Sequence, residues 1–387
     1  MSLKGRSLIT LKSFSCAEIT RILDVAGLMA RAIGFDGEGR QQSFEPMDAI
    51  LGTLFYEPST RTRLSFEVAM LRLGGQVVGF ADPRASSVAK GETLADTARI
   101  VGGYCDIIVI RHPLMGAAKV AADHAGVPVI NAGDGPHEHP TQTLTDLFAI
   151  RRAFGRLDGL RVGLCGDLKY GRTAHSLAPT LARFGADVVC IAPDELQMPE
   201  EVLAEVERIS GRRPDTAADL SAAVADLDVL YMTRIQRERF SDPAHYERVR
   251  GVYVLTPDIL ACAPERMIVL HPLPRVDEID PAVDSDPRAW YFRQAHGGVP
   301  VRMALISLLL GLEPSEAQRR RYGLDAPAAE GAPLRPPGID PPQPELLRDA
   351  PPCRQSGCIT AEESLPAQAF RLASGELVCA YCERRLP

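Results

Sequence analysis

The chain has 387 residues, 45% of them hydrophobic and 24% charged, with a formal net charge of −7. That length holds two or three domains around a large core, and the acidic balance excludes general nucleic-acid binding, so any anion site must be a local cluster of basic residues. No apolar run reaches the roughly 18 residues of a membrane span and the N-terminus carries no signal core, so a cytoplasmic address without a membrane partner is expected. Nine cysteines divide into two groups. Cys16, Cys105, Cys165, Cys190 and Cys262 lie mostly in apolar context and read as buried free thiols, whereas the other four cluster at the end.

From Ala49 onward apolar strand-like runs alternate with helical patterns: "AILGTLF", helix 61–73, "QVVGFAD", helix 92–103, "DIIVIR", helix 116–125, "VPVINAG" and helix 140–154. After "RLDG" a second series follows: "LRVGLCGD", helix 172–184, "ADVVCIAP", helix 199–210, "LDVLYMT", "MIVLHPLP" and a terminal helix region 288–311. This rhythm predicts two α/β domains with mainly parallel sheets, 1–155 and 156–325, with helix 288–312 packing back toward the first. In such sheets ligands collect beyond the carboxyl ends of strands. The polar motifs recur there: "EPSTRTR", "RHP", "NAGDGPHEHPTQ", "GDLKYGRT", "TRIQRER" and "HPLPRVDE".

Arg61 and Arg63 stand at a helix start, where the macrodipole already supplies positive partial charge and cations are unwelcome. Pro58 ends the strand, so Ser59, Thr60, Arg61 and Thr62 can turn N–H groups, hydroxyls and a guanidinium toward one point, as a phosphate site requires. An N-capping hydroxyl beside two solvated arginines would read the same way in isolation. The remainder of the chain favours the site. Lys90 in "RASSVAKGE" adds a basic loop, Arg111 ends a buried strand and needs a partner, and His139 and Gln142 lie three apart at a helix opening, able to share one face. Arg172, Arg234 with Gln236, and Arg275 add basic groups in the second half. Arginines at successive strand ends describe an interdomain cleft for a phosphate and a carboxylate.

Residues 326–352 hold nine prolines and read as an extended linker. Beyond it, Cys353-x4-Cys358 and Cys379-x2-Cys382 have the spacing of a tetrahedral structural zinc site in a module 353–387. About 35 residues are too few to fold on an apolar core, so metal would supply most of the stability.

"FYEPSTRTRLSFEVAMLRLGG", "SVAKGETLADT", "NAGDGPHEHPTQTLTDLFAI", "GDLKYGRTAHSL", "YMTRIQRERF" and "HPLPRVDEI" together resemble the catalytic chain of the aspartate carbamoyltransferase family, in order from Lys4 to Leu312. "STRTR" and "HPTQ" are shared with ornithine carbamoyltransferases, while "GDLKYGRT" and "HPLPR" separate the two. The resemblance implies a homotrimer with active sites at subunit interfaces, and transfer of the carbamoyl group of carbamoyl phosphate to L-aspartate, an early step of pyrimidine biosynthesis. It implies that Ser59, Thr60, Arg61, Thr62, Arg111, His139 and Gln142 hold carbamoyl phosphate, with Ser87 and Lys90 arriving from a neighbouring subunit. Arg172, Arg234 and Gln236, with Lys90, would hold aspartate, and the Leu273 and Pro274 main chain would line the carbamoyl end. Arg61, Thr62, Lys90, Arg111 and His139 are the implied catalytic set, with no catalytic cofactor. The tail resembles the zinc domain of the family's regulatory chain, fused here to the catalytic one. Two alternatives stay open: an ornithine-type enzyme, or an inactive scaffold for other pyrimidine-pathway enzymes. Higher assemblies of trimers also stay open. One departure is noted: "HGGVPVR" is taken as a loop before the last helix, whose entry Pro300 would alter.

Overall fold

The computed structural model describes residues 2–35, 47–235, 251–312, 344–363 and 365–386. The described residues divide into two compact units: those up to 141, those of 298–312 and those from 344 onward form the first, and those within 142–297 form the second.

In the first unit, β1 (Ile50–Phe55), β2 (Gln76–Phe80), β3 (Ile107–His112) and β4 (Val129–Asp134) make a parallel sheet in the order β2-β1-β3-β4. The near-continuous apolar character of β1, β3 and β4 fits strands covered on both faces, while β2, at the sheet edge, is largely exposed. Helices α1 (Cys16–Ala32), α2 (Thr60–Arg72), α3 (Leu94–Gly102) and α4 (Ala117–Ala125) accompany it. Helix α1 precedes the series read from the sequence. Its start is fixed by a capping box, Ser15 accepting from Glu18 N–H at 3.2 Å while Glu18 accepts from Ser15 N–H at 2.8 Å.

Helix α5 (Pro140–Phe154) leads into the second unit, where β5 (Arg161–Cys165), β6 (Asp187–Ile191), β7 (Asp215–Ala217), β8 (Val229–Met232) and β9 (Ile268–Leu270) are all parallel, in the order β7-β6-β5-β8-β9. Helices α6 (Arg172–Arg183), α7 (Glu200–Ser210), α8 (Leu220–Ala223), α9 (Pro257–Ala261) and α10 (Tyr291–Leu310) follow in turn. The stretch "HGGVPVR" is not a loop before the last helix: Pro300 lies inside α10, where it forfeits one backbone hydrogen bond. Gly5 N–H donates to the Leu309 carbonyl at 2.9 Å, tying the end of α10 to the N-terminus within the first unit.

The terminal module is a three-stranded antiparallel sheet of β10 (Glu345–Leu347), β11 (Ala369–Arg371) and β12 (Leu377–Cys379). Strand β10 falls within the stretch read as linker, so residues 345–347 belong to the module's sheet; linker residues 326–343 lie outside the described residues. The module is seated on the first unit by main-chain bonds, Met115 N–H to Gly357 carbonyl and Ile359 N–H to Met115 carbonyl, both 2.9 Å. Cys358, Ile359, Tyr381 and Cys382 share one apolar cluster with Met115, Ala117 and Ala121. Glu363 accepts from Leu94 N–H at 2.6 Å, supplying an anion to the first turn of α3.

Among the scattered cysteines, Cys16, Cys105, Cys165 and Cys190 are buried, but Cys262, just beyond α9, is exposed, which corrects its assignment as a buried thiol. No described helix is long and apolar enough to cross a membrane.

Candidate active site and metal centre

The order β2-β1-β3-β4 places a topological switch between β1 and β3, because connections leave toward opposite sides of the sheet there. The loop after β1 carries Ser59, which caps α2 with its backbone in the extended region and makes no side-chain cap bond. Thr60 opens the helix, Arg61 is exposed and Thr62 is buried. Arg63 is absorbed by its own helix, its Nε donating to Glu67 at 2.8 Å. Arg61 makes no hydrogen bond or ion pair among the described residues, and its pKa is lowered by partial burial and by the Arg111 guanidinium. Arg111 comes from β3, in register with Phe55. Burial lowers its pKa against the counter-effect of Glu57, which accepts from its Nε at 3.1 Å. Two arginines, one helix N-terminus and one partial counter-charge leave a net positive locus at the switch point.

The loop after β4 reaches the same carboxyl edge of the sheet. Asp134 holds it: its carboxylate accepts from Asn131 Nδ2 (2.9 Å), Gly116 N–H (2.9 Å) and Glu138 N–H (3.1 Å). His139 follows, buried, with Thr141 Oγ1 3.4 Å from its Nδ1. Ser87 opens and Lys90 closes a short 3-10 helix, Ser87–Lys90; both are exposed. Gly91, with φ of 90°, ends that turn in the left-handed region that suits glycine.

In the second unit the switch lies between β5 and β8. Arg172 is the first residue of α6, after β5, and Arg234 stands two residues beyond β8. The two strands pack closely at that end: a Cβ on Gly166 would stand 2.2 Å from the Thr233 carbonyl oxygen. Gln236 lies outside the described residues. Gln142, on α5, is turned to a structural partner, its Nε2 donating to Asp146 at 2.7 Å. Beyond β9, Leu273 has φ of 54° and precedes a cis bond to Pro274. His271 Nδ1 accepts from Leu273 N–H at 2.7 Å, and Glu278 lies 2.6 Å from His271 Nε2. The left-handed Leu273 is thus fixed by a buried His–Glu pair that sequence reasoning did not single out; the motif "HPLPRVDE" contained both residues. Arg275 is not a free basic group, since its guanidinium pairs with Asp284 and donates to Tyr291 Oη at 3.2 Å.

Cys353, Cys358, Cys379 and Cys382 bring four sulfur atoms within 4.8 Å of one another. Cys353 Sγ and Cys382 Sγ are 3.7 Å apart, and four thiolates about 2.3 Å from a zinc ion would stand about 3.8 Å from each other. The donor set therefore fits a tetrahedral metal. Hydrogen bonds from Cys379 and then Cys382 hold the Cys358 thiol low and push those two donors up, so one thiolate is shared among the clustered sulfurs and the remaining protons would leave on metal binding.

Residues 6–152 match the family model for the aspartate/ornithine carbamoyltransferase carbamoyl-P binding domain, and residues 158–309 match that for the Asp/Orn binding domain. The chain belongs to the aspartate/ornithine carbamoyltransferase family. Among relatives of that family, the aspartate carbamoyltransferase catalytic subunit of Thermococcus gammatolerans is 53% identical over 313 residues, covering 81% of this chain and 100% of that protein. The same subunit of Methanopyrus kandleri is 52% identical, covering 80% and 99%. Of solved structures, the catalytic subunit of M. jannaschii aspartate transcarbamoylase superposes with a TM-score of 0.73 at 45% identity, over 80% of this chain and 100% of that one. Aspartate transcarbamoylase from Trypanosoma cruzi, in complex with carbamoyl phosphate and aspartate, gives 0.74 at 41% identity, over 80% and 98%. The carbamoyltransferase models end at residue 309, so the four clustered cysteines lie beyond them.

Proposed function

We propose that the chain transfers the carbamoyl group of carbamoyl phosphate to L-aspartate, giving N-carbamoyl-L-aspartate and phosphate, with the Arg61–Arg111 locus as the phosphate site. The observation that carries the site is electrostatic: two neighbouring arginines at an uncapped helix start, of which Arg61 makes no ion pair among the described residues. A phosphate relieves that repulsion.

Ser59, Thr60 and Arg61 bind the phosphoryl oxygens, joined by Ser87 and Lys90, while His139 and Gln142 hold the carbamoyl end with the Leu273 and Pro274 main chain. The aspartate amine attacks the carbamoyl carbon, a tetrahedral oxyanion forms, and the C–O bond to phosphate breaks. Thr62, Arg111 and His139 donate to that oxyanion; loss of one such donor costs on the order of 3 kcal/mol. Arg61 stabilises the departing phosphate, which accepts the amine proton. Arg172, Arg234 and Gln236, with Lys90, hold the aspartate carboxylates, so catalysis rests on positioning and charge.

The active form is a trimer in which Ser87 and Lys90 serve a neighbouring subunit. Their exposure fits that role, and so does an apolar stripe on α2, where Leu64, Val68 and Leu71 recur at i, i+4, i+7 with Leu71 60% exposed. The four cysteines hold zinc, which when bound cross-links the module. Four such thiolates need a reducing compartment, which supports the cytoplasmic address.

Steady-state turnover of carbamoyl phosphate with aspartate or ornithine tests the acceptor. Aspartate should be preferred by at least about a thousandfold in kcat/KM, because a guanidinium site built for carboxylates rejects a second amine. Equal or greater turnover with ornithine would overturn the assignment.

A further inference from the structure

The module's seat on the first unit includes one charged contact that the apolar packing does not need. Lys12 Nζ donates to Glu383 Oε2 at 2.9 Å, and the same oxygen lies 3.9 Å from His137 Nε2, a buried nitrogen without a hydrogen-bond partner among the described residues. On its other side, His137 Nδ1 lies 2.9 Å from Asp134 Oδ2. Asp134 is the residue that organises the loop up to Glu138, immediately before His139. A chain of polar groups therefore runs from the cysteine module to the proposed carbamoyl-phosphate loop, with the 3.9 Å ion-pair distance between Glu383 and His137 as its longest step.

Glu383 also has φ of 56°, one of two non-glycine residues in the left-handed region among the described residues; the other is Leu273, at the proposed site itself. It directly follows Cys382, and its N–H closes the cysteine turn onto the Cys379 carbonyl at 2.8 Å. Glycine or asparagine would occupy that backbone position with less strain. A glutamate held there despite the conformation points to work done by its carboxylate.

We propose that Glu383 is a positioning residue for carbamoyl-phosphate binding, holding the Asp134–His139 loop through His137 so that the cysteine module braces the substrate site of its own chain. This rests on the reading that His139 contacts carbamoyl phosphate.

The test is Glu383→Gly in the full chain, which removes the carboxylate while relieving the backbone. The variant should keep its zinc and its melting temperature, raise KM for carbamoyl phosphate about fivefold or more with kcat within about twofold, and speed amide exchange across residues 134–139. Glu383→Gln, which keeps an acceptor for Lys12, should fall between. Lys12→Met lies outside the module and cannot disturb its cysteines; it should raise the same KM, and the double variant should be no worse than Glu383→Gly alone. Unchanged KM and exchange in zinc-loaded Glu383→Gly overturn the proposal. Should that variant lose zinc, unchanged KM in Lys12→Met overturns it. His139→Ala separates the two levels: if it leaves carbamoyl-phosphate KM unaltered, the site reading fails, whereas a raised KM there beside a normal one in Glu383→Gly refutes the brace alone.

Discussion

Asp146 is fully buried and yet carries three donors: Gln142 Nε2 at 2.7 Å, Gln294 Nε2 at 2.6 Å and Tyr231 Oη at 3.0 Å. Burial and the adjacent carboxylate push the Tyr231 phenol well above its ordinary pKa, so it remains a donor. Asp146→Ala would take their shared acceptor from the buried Gln294 amide, the half-buried Gln142 amide and the Tyr231 phenol at once, and should lower unfolding free energy by about 3 kcal/mol in denaturant titration. A loss below about 1 kcal/mol would show that the network relaxes without its acceptor. Gln142 illustrates how far residue types are legible in the sequence. Its spacing from His139 is readable, but the buried network around its partner Asp146 is not, because Tyr231 and Gln294 are brought in from β8 and α10 by tertiary folding. Arg275 is a different case, because Asp284 and Tyr291 engage a charge that the motif alone leaves looking free. Arg61 is the counter-example: what marks it, a cation at a helix start, is written entirely in "PSTRTR".

At the scale of elements, most of the strand and helix order from β1 to β9 followed from alternating apolar runs, since parallel strands covered on both faces are continuous and helices are periodic. Five elements fall outside that rhythm, among them the short helices α8 and α9. Helix α1 announced itself through Ser15 and Glu18 rather than through the β-α rhythm, and β7 is only three residues long. Strand β10 sits among prolines, and only its pairing with β11 makes it a strand. The seat of the module was not legible at all, because Lys12 and Glu383 are 371 positions apart. That seat depends on Gly116, whose φ is 86° and whose absent Cβ would stand 2.6 Å from Tyr381 Cβ. Gly116→Ala should therefore undock the module while leaving its cysteines intact. Elemental analysis should find one zinc per chain in both proteins, and a chelator should strip it at least about tenfold faster from the variant. Equal stripping rates, or no zinc in the parent, would contradict the arrangement.

For the whole molecule, the two switch points gather the basic residues of each unit at the carboxyl edge of its own sheet, which is why motifs scattered from Ser59 to Arg234 read as one chemistry. The fold was legible because each motif ends a strand, whereas the acceptor rests on the resemblance carried by "GDLKYGRT" and "HPLPR". The module adds a layer that the carbamoyltransferase family models, ending at residue 309, do not include. Arg61 is proposed to face phosphate in a site completed by Lys90 from another subunit, and turnover of Arg61→Ala, measured alone and after subunit exchange with Lys90→Ala, tests this most directly. Arg61→Ala alone should fall by at least about a thousandfold in kcat/KM with an unchanged melting temperature, and the mixture should regain part of the activity through hybrid sites. Near-normal turnover of folded Arg61→Ala, or no recovery after verified exchange, would contradict it.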